Sequence, residues 1–120
     1  MPRDDAVYLH HIADALDQIA EYTRGLAKQH FLSNRLVQDA VLRQLEIIGE
    51  ASRNLSDTFH RAHPEIPWPA LIAMRNRLVH GYFDVNVLIV WEVLENDLPA
   101  LRELVDTTFN RYSPRPSIGT

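Results

Sequence analysis

Residues 33–55 read SNRLVQDAVLRQLEIIGEASRNL, and this stretch decides the fold. Val37, Ala40, Val41, Leu45, Ile48, Ala51 and Leu55 recur at threes and fours, the spacing that lines one side of a helix with 3.6 residues per turn. Ser33 or Asn34 can cap the start by accepting a bond from a backbone N–H in the first turn. Gly49 falls inside the pattern, where glycine costs about 1 kcal/mol relative to alanine, so a close approach by another helix is expected there.

The same period extends in both directions. From about Asp4 to Lys28, Leu9, Ile12, Leu16, Ile19 and Leu26 are helically spaced, with Asp4 or Asp5 as N-cap and Gly25 near the end. Downstream, residues 56–69 hold Pro64, Pro67 and Pro69 with no sustained period, which predicts a connection with room for one short helical turn. A third helix is expected from about Pro69 to His80, closed by Gly81 as a left-handed C-cap. Asp84 can cap a fourth, whose stripe is Val87, Val90, Trp91, Leu94, Leu98, Leu101 and Val105. Pro99 should kink that helix or mark a restart capped by Asn96 or Asp97. The β-rich run from Val85 to Val93 also fits this stripe, so no strand is expected. The reading is all-α: an antiparallel four- to five-helix bundle over residues 1–109, with a flexible C-terminal tail over 110–120.

Composition bounds what such a bundle can do. At 120 residues the chain has room for one domain, and 46% hydrophobic with 23% charged residues is ordinary globular usage. There is no cysteine, which excludes disulfides, thiolate metal sites and a cysteine nucleophile, and a reducing cytoplasm suits the chain. The start, Met1-Pro2-Arg3-Asp4-Asp5, lacks the apolar run of a signal peptide, and no later run approaches membrane length. A net charge of −4 argues against broad electrostatic coating of nucleic acid, so an RNA ligand would need a local site.

The segment with chemical content is Met74-Arg75-Asn76-Arg77-Leu78-Val79-His80-Gly81-Tyr82. At about 100° per residue, Leu71, Ile72, Met74, Leu78 and Val79 share one arc, and Arg75 falls inside it. A guanidinium among apolar neighbours needs a carboxylate, carbonyls, a subunit interface or an anionic ligand such as phosphate. Asn76 and His80, four apart, share the other side, so the amide could orient the imidazole. Arg75 and His80 are about 140° apart on a straight helix. To converge, they require that the last turn unwinds toward Gly81 or that two copies of the segment meet across a two-fold axis.

Arg75, His80 and Tyr82 form the pattern R-x-x-x-x-H-x-Y, with Asn76 as the polar residue after the arginine. Around it stand Leu45-Glu46-Ile47-Ile48-Gly49-Glu50-Ala51, Pro64-Glu65-Ile66-Pro67-Trp68, and Trp91 followed by Asp97-Leu98-Pro99. In this order the stretches resemble the HepT toxin family within the HEPN superfamily, over nearly the whole chain up to about Val105. The resemblance implies a dimerising helical bundle that acts as a metal-independent endoribonuclease without a cofactor. It implies the toxin role in a type VII-like toxin–antitoxin pair, with RNA, either tRNA or mRNA, as substrate and an MntA-type nucleotidyltransferase as antitoxin. Arg75 and His80 would be catalytic, and Tyr82 the acceptor of AMP from the antitoxin. The chemistry suits the residue types: RNA carries its own nucleophile in the 2′-hydroxyl, histidine titrates near pH 6.5, and arginine binds phosphate through two N–H groups. Asn76 and Arg77 are candidates for binding substrate, and Arg77 adds charge to the same cleft. Glu50, off the apolar stripe, is either a solvated glutamate or a partner behind Arg75. A rival reading of the same surface is a non-catalytic subunit that docks with a nucleotidyltransferase and presents a substrate to it.

Other candidates carry less. His60 and His63 have a metal-compatible spacing but no paired carboxylate pattern beside them, and they read as solvent-exposed loop histidines. His10 and His11 are adjacent on a helix and must point apart. No glutamate has a histidine three residues later, which excludes the di-iron bundle class.

Overall fold

The computed structural model describes residues 3–80 and 84–110. Within them the chain forms α1 (Arg3–Thr23), α2 (Lys28–Leu32), α3 (Arg35–Asn54), α4 (Asp57–Ala62), α5 (Trp68–Ile72) and α6 (Met74–Leu78). A two-residue antiparallel ladder of β1 (Val79–His80) with β2 (Asp84–Val85) follows. Then come α7 (Val87–Glu92), a π-helical turn (Val93–Asp97) and α8 (Leu98–Thr108). The fold is all-α, as the periodicity predicts. Gly81, the expected cap, and Tyr82 lie outside the described residues, as does the expected tail beyond Asn110.

The stripe on α3 is the centre of the core. Val41, Leu45, Ile48 and Ala51 are buried against Leu9, Ile12, Leu16 and Ile19 of α1. The two helices run antiparallel, because Asp5 at the start of α1 meets Ser56 just past the end of α3. Asn34 is the cap of α3, its side chain accepting from Val37 N at 3.1 Å. Helix α8 runs antiparallel to α1 on another side, with Arg102 donating to Asp17 at 2.8 Å and Phe109 stacked on His10. Among the described residues no helix is long and apolar enough to cross a membrane.

Four local expectations give way. First, Asp5 is not a cap: it lies within α1, is 2% exposed, and its carboxylate accepts from Ser56 N at 2.8 Å and Ser56 Oγ at 2.7 Å. That same hydroxyl accepts from Phe59 N and caps α4. Second, the first helix stops at Thr23, short of Lys28. Gly25, at φ +68°, takes the left-handed turn that a side chain would resist, and α2 then plants Phe31 in the core.

Third, the single helix expected over 69–80 is two short ones followed by extended chain. It breaks at Ala73 and ends at Leu78, because Val79 and His80 pair with Val85 and Asp84 instead of continuing the turn. The carbonyl of Leu78, freed by that ending, accepts from Asn86 N at 3.2 Å. Fourth, Asp84 belongs to β2, and α7 is capped by Asn86, whose side chain accepts from Ile89 N at 3.2 Å. The restart near Pro99 is present, with the proline in the first turn of α8, but neither Asn96 nor Asp97 supplies a cap bond; the turn before it is π-helical.

Gly49 shows the close approach expected of it. A Cβ built there would stand 2.9 Å from the Leu71 carbonyl oxygen, at the end of α5. Backbone cannot swing aside as a flexible side chain can, so Gly49→Ala should force α3 and α5 apart. Overpacking costs roughly 1–3 kcal/mol, and alanine returns about 1 kcal/mol of helix propensity. The expected net loss is up to about 2 kcal/mol, read as a lower urea midpoint at unchanged slope. A midpoint equal to or above the parent's would contradict the close contact.

Candidate active site

Helices α5 and α6 lie on α3 through Leu71, Met74 and Leu78, all at most 1% exposed, so the apolar arc read from the helical phases does face the core. Arg75 follows Met74 on this segment. The side chains of Arg75 and His80 are not among those described, but their backbone is: Arg75 is in α6 and His80 in β1. The angle of about 140° that a straight helix would impose between them therefore does not apply, since the helix ends between the two. The last turn before His80 is unwound, ending at Leu78.

Asn76 is exposed and lines a groove of about 470 Å³ against α3, together with Glu46, Gly49, Glu50 and Arg53. Two residues singled out from sequence, Asn76 and Glu50, thus share one groove. Glu50 accepts from Arg53 Nη2 at 2.7 Å and from Asn54 Nδ2 at 3.5 Å. The hydrogen bond and charge of Arg53 hold its carboxyl below the usual range, so it is an anion at neutral pH. It is a well-exposed carboxylate engaged by its own helix. Arg77 turns the other way: its Nη2 stands 3.5 Å from Asp97 Oδ2, at the end of the π-helical turn. A half-exposed pair of this length contributes at most about 1 kcal/mol. Arg77 brings its charge to the segment with a carboxylate beside it.

His60 and His63 have structural work. His60 sits on α4, half-buried, with Nε2 donating to the Ser52 carbonyl at 2.8 Å and its ring 5.0 Å from Trp68. His63 packs 4.5 Å from Phe59, and its carbonyl accepts from Trp68 Nε1 at 2.9 Å. His63 lies in the connection, as the sequence suggests, but neither histidine is fully exposed; both clamp the proline-containing connection to the core. His10 and His11 do point apart, His10 onto Phe109 and His11 edge-on to Tyr8. Among the described residues no group of three or more histidine, aspartate or glutamate side chains could hold a metal ion.

Sequence reasoning passed over one feature. A second groove, of about 480 Å³, runs between α1 and α3 and is lined by Tyr8, His11, Arg43 and Glu50 among others. Its signal in the sequence was the pairing of Tyr8 with His11 three residues later, on the side of α1 that faces α3.

The chain matches the family described as "Ribonuclease HepT-like" over residues 12–108 and belongs to it. It is 45% identical over 102 residues to "Probable ribonuclease HepT" of Thermococcus cleftensis, covering 85% of this chain and 93% of that one. It is 33% identical over 104 residues to a "Putative RNase" of Methanocaldococcus jannaschii, covering 87% and 95% of the two. A "Putative RNase" of Caldanaerobacter subterraneus is 37% identical over 98 residues, covering 82% and 88%. No solved structure matches the chain.

Proposed function

We propose that this chain is the toxin of a type VII-like toxin–antitoxin pair: a cytoplasmic, homodimeric endoribonuclease that needs no metal ion. Arg75 and His80 cleave RNA, and an MntA-type nucleotidyltransferase neutralises the enzyme by transferring AMP to Tyr82. Membership of a ribonuclease family and the names of the relatives support the reaction class. The observation that carries the reading to particular residues is the end of α6 at Leu78, which takes His80 off the helix that holds Arg75.

The chemistry asks little more of the protein than these two side chains. The substrate's 2′-oxygen attacks phosphorus, the bond from phosphorus to the 5′-oxygen breaks, and a 2′,3′-cyclic phosphate and a free 5′-hydroxyl result. A proton must leave the 2′-hydroxyl and another must reach the departing oxygen, work for which an imidazole is suited at neutral pH. Charge builds on the phosphoryl oxygens, where a guanidinium fork binds best. Two copies of the segment in one groove would double the positive charge an RNA strand meets on an acidic protein.

Purified protein, eluting at twice the 13.8 kDa chain mass, is expected to cut single-stranded RNA in excess chelator and to leave cyclic-phosphate ends. Activity that vanishes with chelator and returns with a divalent ion would overturn the metal-independent mechanism. A strictly monomeric mass would remove the dimer.

A further inference from the structure

We propose that the groove between α1 and α3 is a nucleobase subsite that holds one guanine of the single-stranded RNA substrate, beside the nucleotides being cleaved. This rests on the ribonuclease reading above.

The groove has the right parts. Its volume, about 480 Å³, lies within the range of about 300–1,000 Å³ typical of small-molecule sites. Tyr8 and His11 form a perpendicular pair, with ring centroids 5.8 Å apart at 84°, so a flat base lying on one ring meets the other edge-on. Ile47 and Ala51 add apolar lining. Single-stranded RNA is read in this way, with unstacked bases laid on aromatic rings and bonded along their Watson–Crick edges. The two grooves share Glu46 and Glu50, one turn apart on α3, so a strand leaving the groove beside Asn76 crosses this ridge and enters the other.

The polar rim selects the base. Among the described residues Arg53 donates to Glu50 Oε2 at 2.7 Å and Asn54 stands a long 3.5 Å from the same atom, so Oε1 can accept one base N–H and Oε2 a second in place of the Asn54 contact. Asn54 spends its amide N–H groups on Glu50, at 3.0 Å to the carbonyl and 3.5 Å to the carboxylate. An ionised carboxylate wants neighbouring donors. Guanine presents two, N1–H and the N2 amino group; adenine and cytosine set an acceptor beside their amino group, and uracil flanks its one N–H with two carbonyls. Arg43 on the same rim supplies the kind of donor that guanine O6 takes. Arg43 stands 3.7 Å from Glu46 and Arg53 2.7 Å from Glu50, so the ridge carries little net charge and a strand's backbone can cross it without being held there.

The test is an NMR titration of the intact protein, following the His11 and Tyr8 ring resonances. The probes are the four nucleoside 5′-monophosphates and short single-stranded oligoribonucleotides with one guanine or with uracil in its place. The expected result is movement of both rings, at least tenfold tighter binding of the guanine oligonucleotide than the uracil one, and weaker binding of free GMP than of the oligonucleotide. Glu50→Gln should remove the guanine preference, and His11→Ala should weaken binding about tenfold, the order of one lost stacking contact. Both side chains are exposed, so neither change should alter the helical circular dichroism. Still rings at saturating RNA, equal affinity for the guanine and uracil oligonucleotides, or unchanged binding in both variants would overturn the subsite. Free GMP binding as tightly as the oligonucleotide would make it a site for free nucleotides instead. Because binding requires no bond cleavage, failure of cleavage with guanine binding intact would count against the ribonuclease reading alone.

Discussion

His80→Ala loses RNA cleavage by roughly 10²–10⁴-fold, the range expected when a positioned proton-transfer group is removed. Arg75→Ala loses on the order of 10²–10³-fold, as when one preorganised donor to a developing oxyanion is deleted. Arg75→Lys keeps the charge but not the two-pronged fork, and recovers only part of the loss. The segment's anchors in the core are Leu71, Met74 and Leu78, which all three variants leave in place, so thermal unfolding should move little. Expression of the parent alone should arrest growth, and expression of His80→Ala should not. Cleavage that survives in purified His80→Ala would assign the chemistry to another residue. A parent chain that neither cuts RNA nor arrests growth, yet still binds a nucleotidyltransferase, would establish the rival role of a non-catalytic docking subunit.

What could be read from the sequence follows from how far each interaction reaches along the chain. The apolar stripe of α3, the Asn34 cap and the tight contact at Gly49 are consequences of local period and residue type, and all three are found. Asp5 was misread because its partner, Ser56, is 51 residues away: nothing within one turn of a carboxylate shows that it will be buried on a distant backbone N–H. The end of α6 was misplaced for a related reason. Val79 and His80 fit the helical phase, and their alternative, pairing with Val85 and Asp84, depends on a partner several residues further along the chain. Yet the sequence held a warning, since an arginine and a histidine about 140° apart converge poorly from one unbroken helix. In the candidate site, Asn76 and Glu50 prove to share a groove, while Arg77 stands beside Asp97, a partner that follows only from how the π-helical turn meets α6. The groove beside Tyr8 and His11 went unread because it exists only once α1 lies against α3.

Tyr82→Phe is expected to abolish modification by the cognate nucleotidyltransferase and leave the toxin unrestrained by it. Tyr82 follows His80 by two positions and stands in sequence between the paired segments Val79–His80 and Asp84–Val85, so it belongs to the stretch that carries the proposed catalytic residues. A tyrosine phenol, with an ordinary pKa near 10, is neutral at pH 7 and a poor proton shuttle beside a histidine. It is a competent acceptor: its oxygen can attack the α-phosphorus of ATP held by the partner, pyrophosphate leaves, and the phenol proton passes to a base. The product is a phosphodiester with a negative charge and a bulky base, next to an arginine proposed to hold RNA phosphate. Such an adduct fills the site with an anion of the substrate's own kind and repels the next one. Intact-mass spectrometry of the co-expressed pair should show the chain heavier by one or more AMP units, with peptide mapping placing the addition on Tyr82. The phenylalanine variant should keep the parent mass and arrest growth even with the partner present. Phenylalanine retains the ring, so any loss of cleavage in that variant measures what the hydroxyl contributes to binding RNA. An unmodified Tyr82 inside a neutralised, inactive complex would mean that the partner restrains this chain by steric masking.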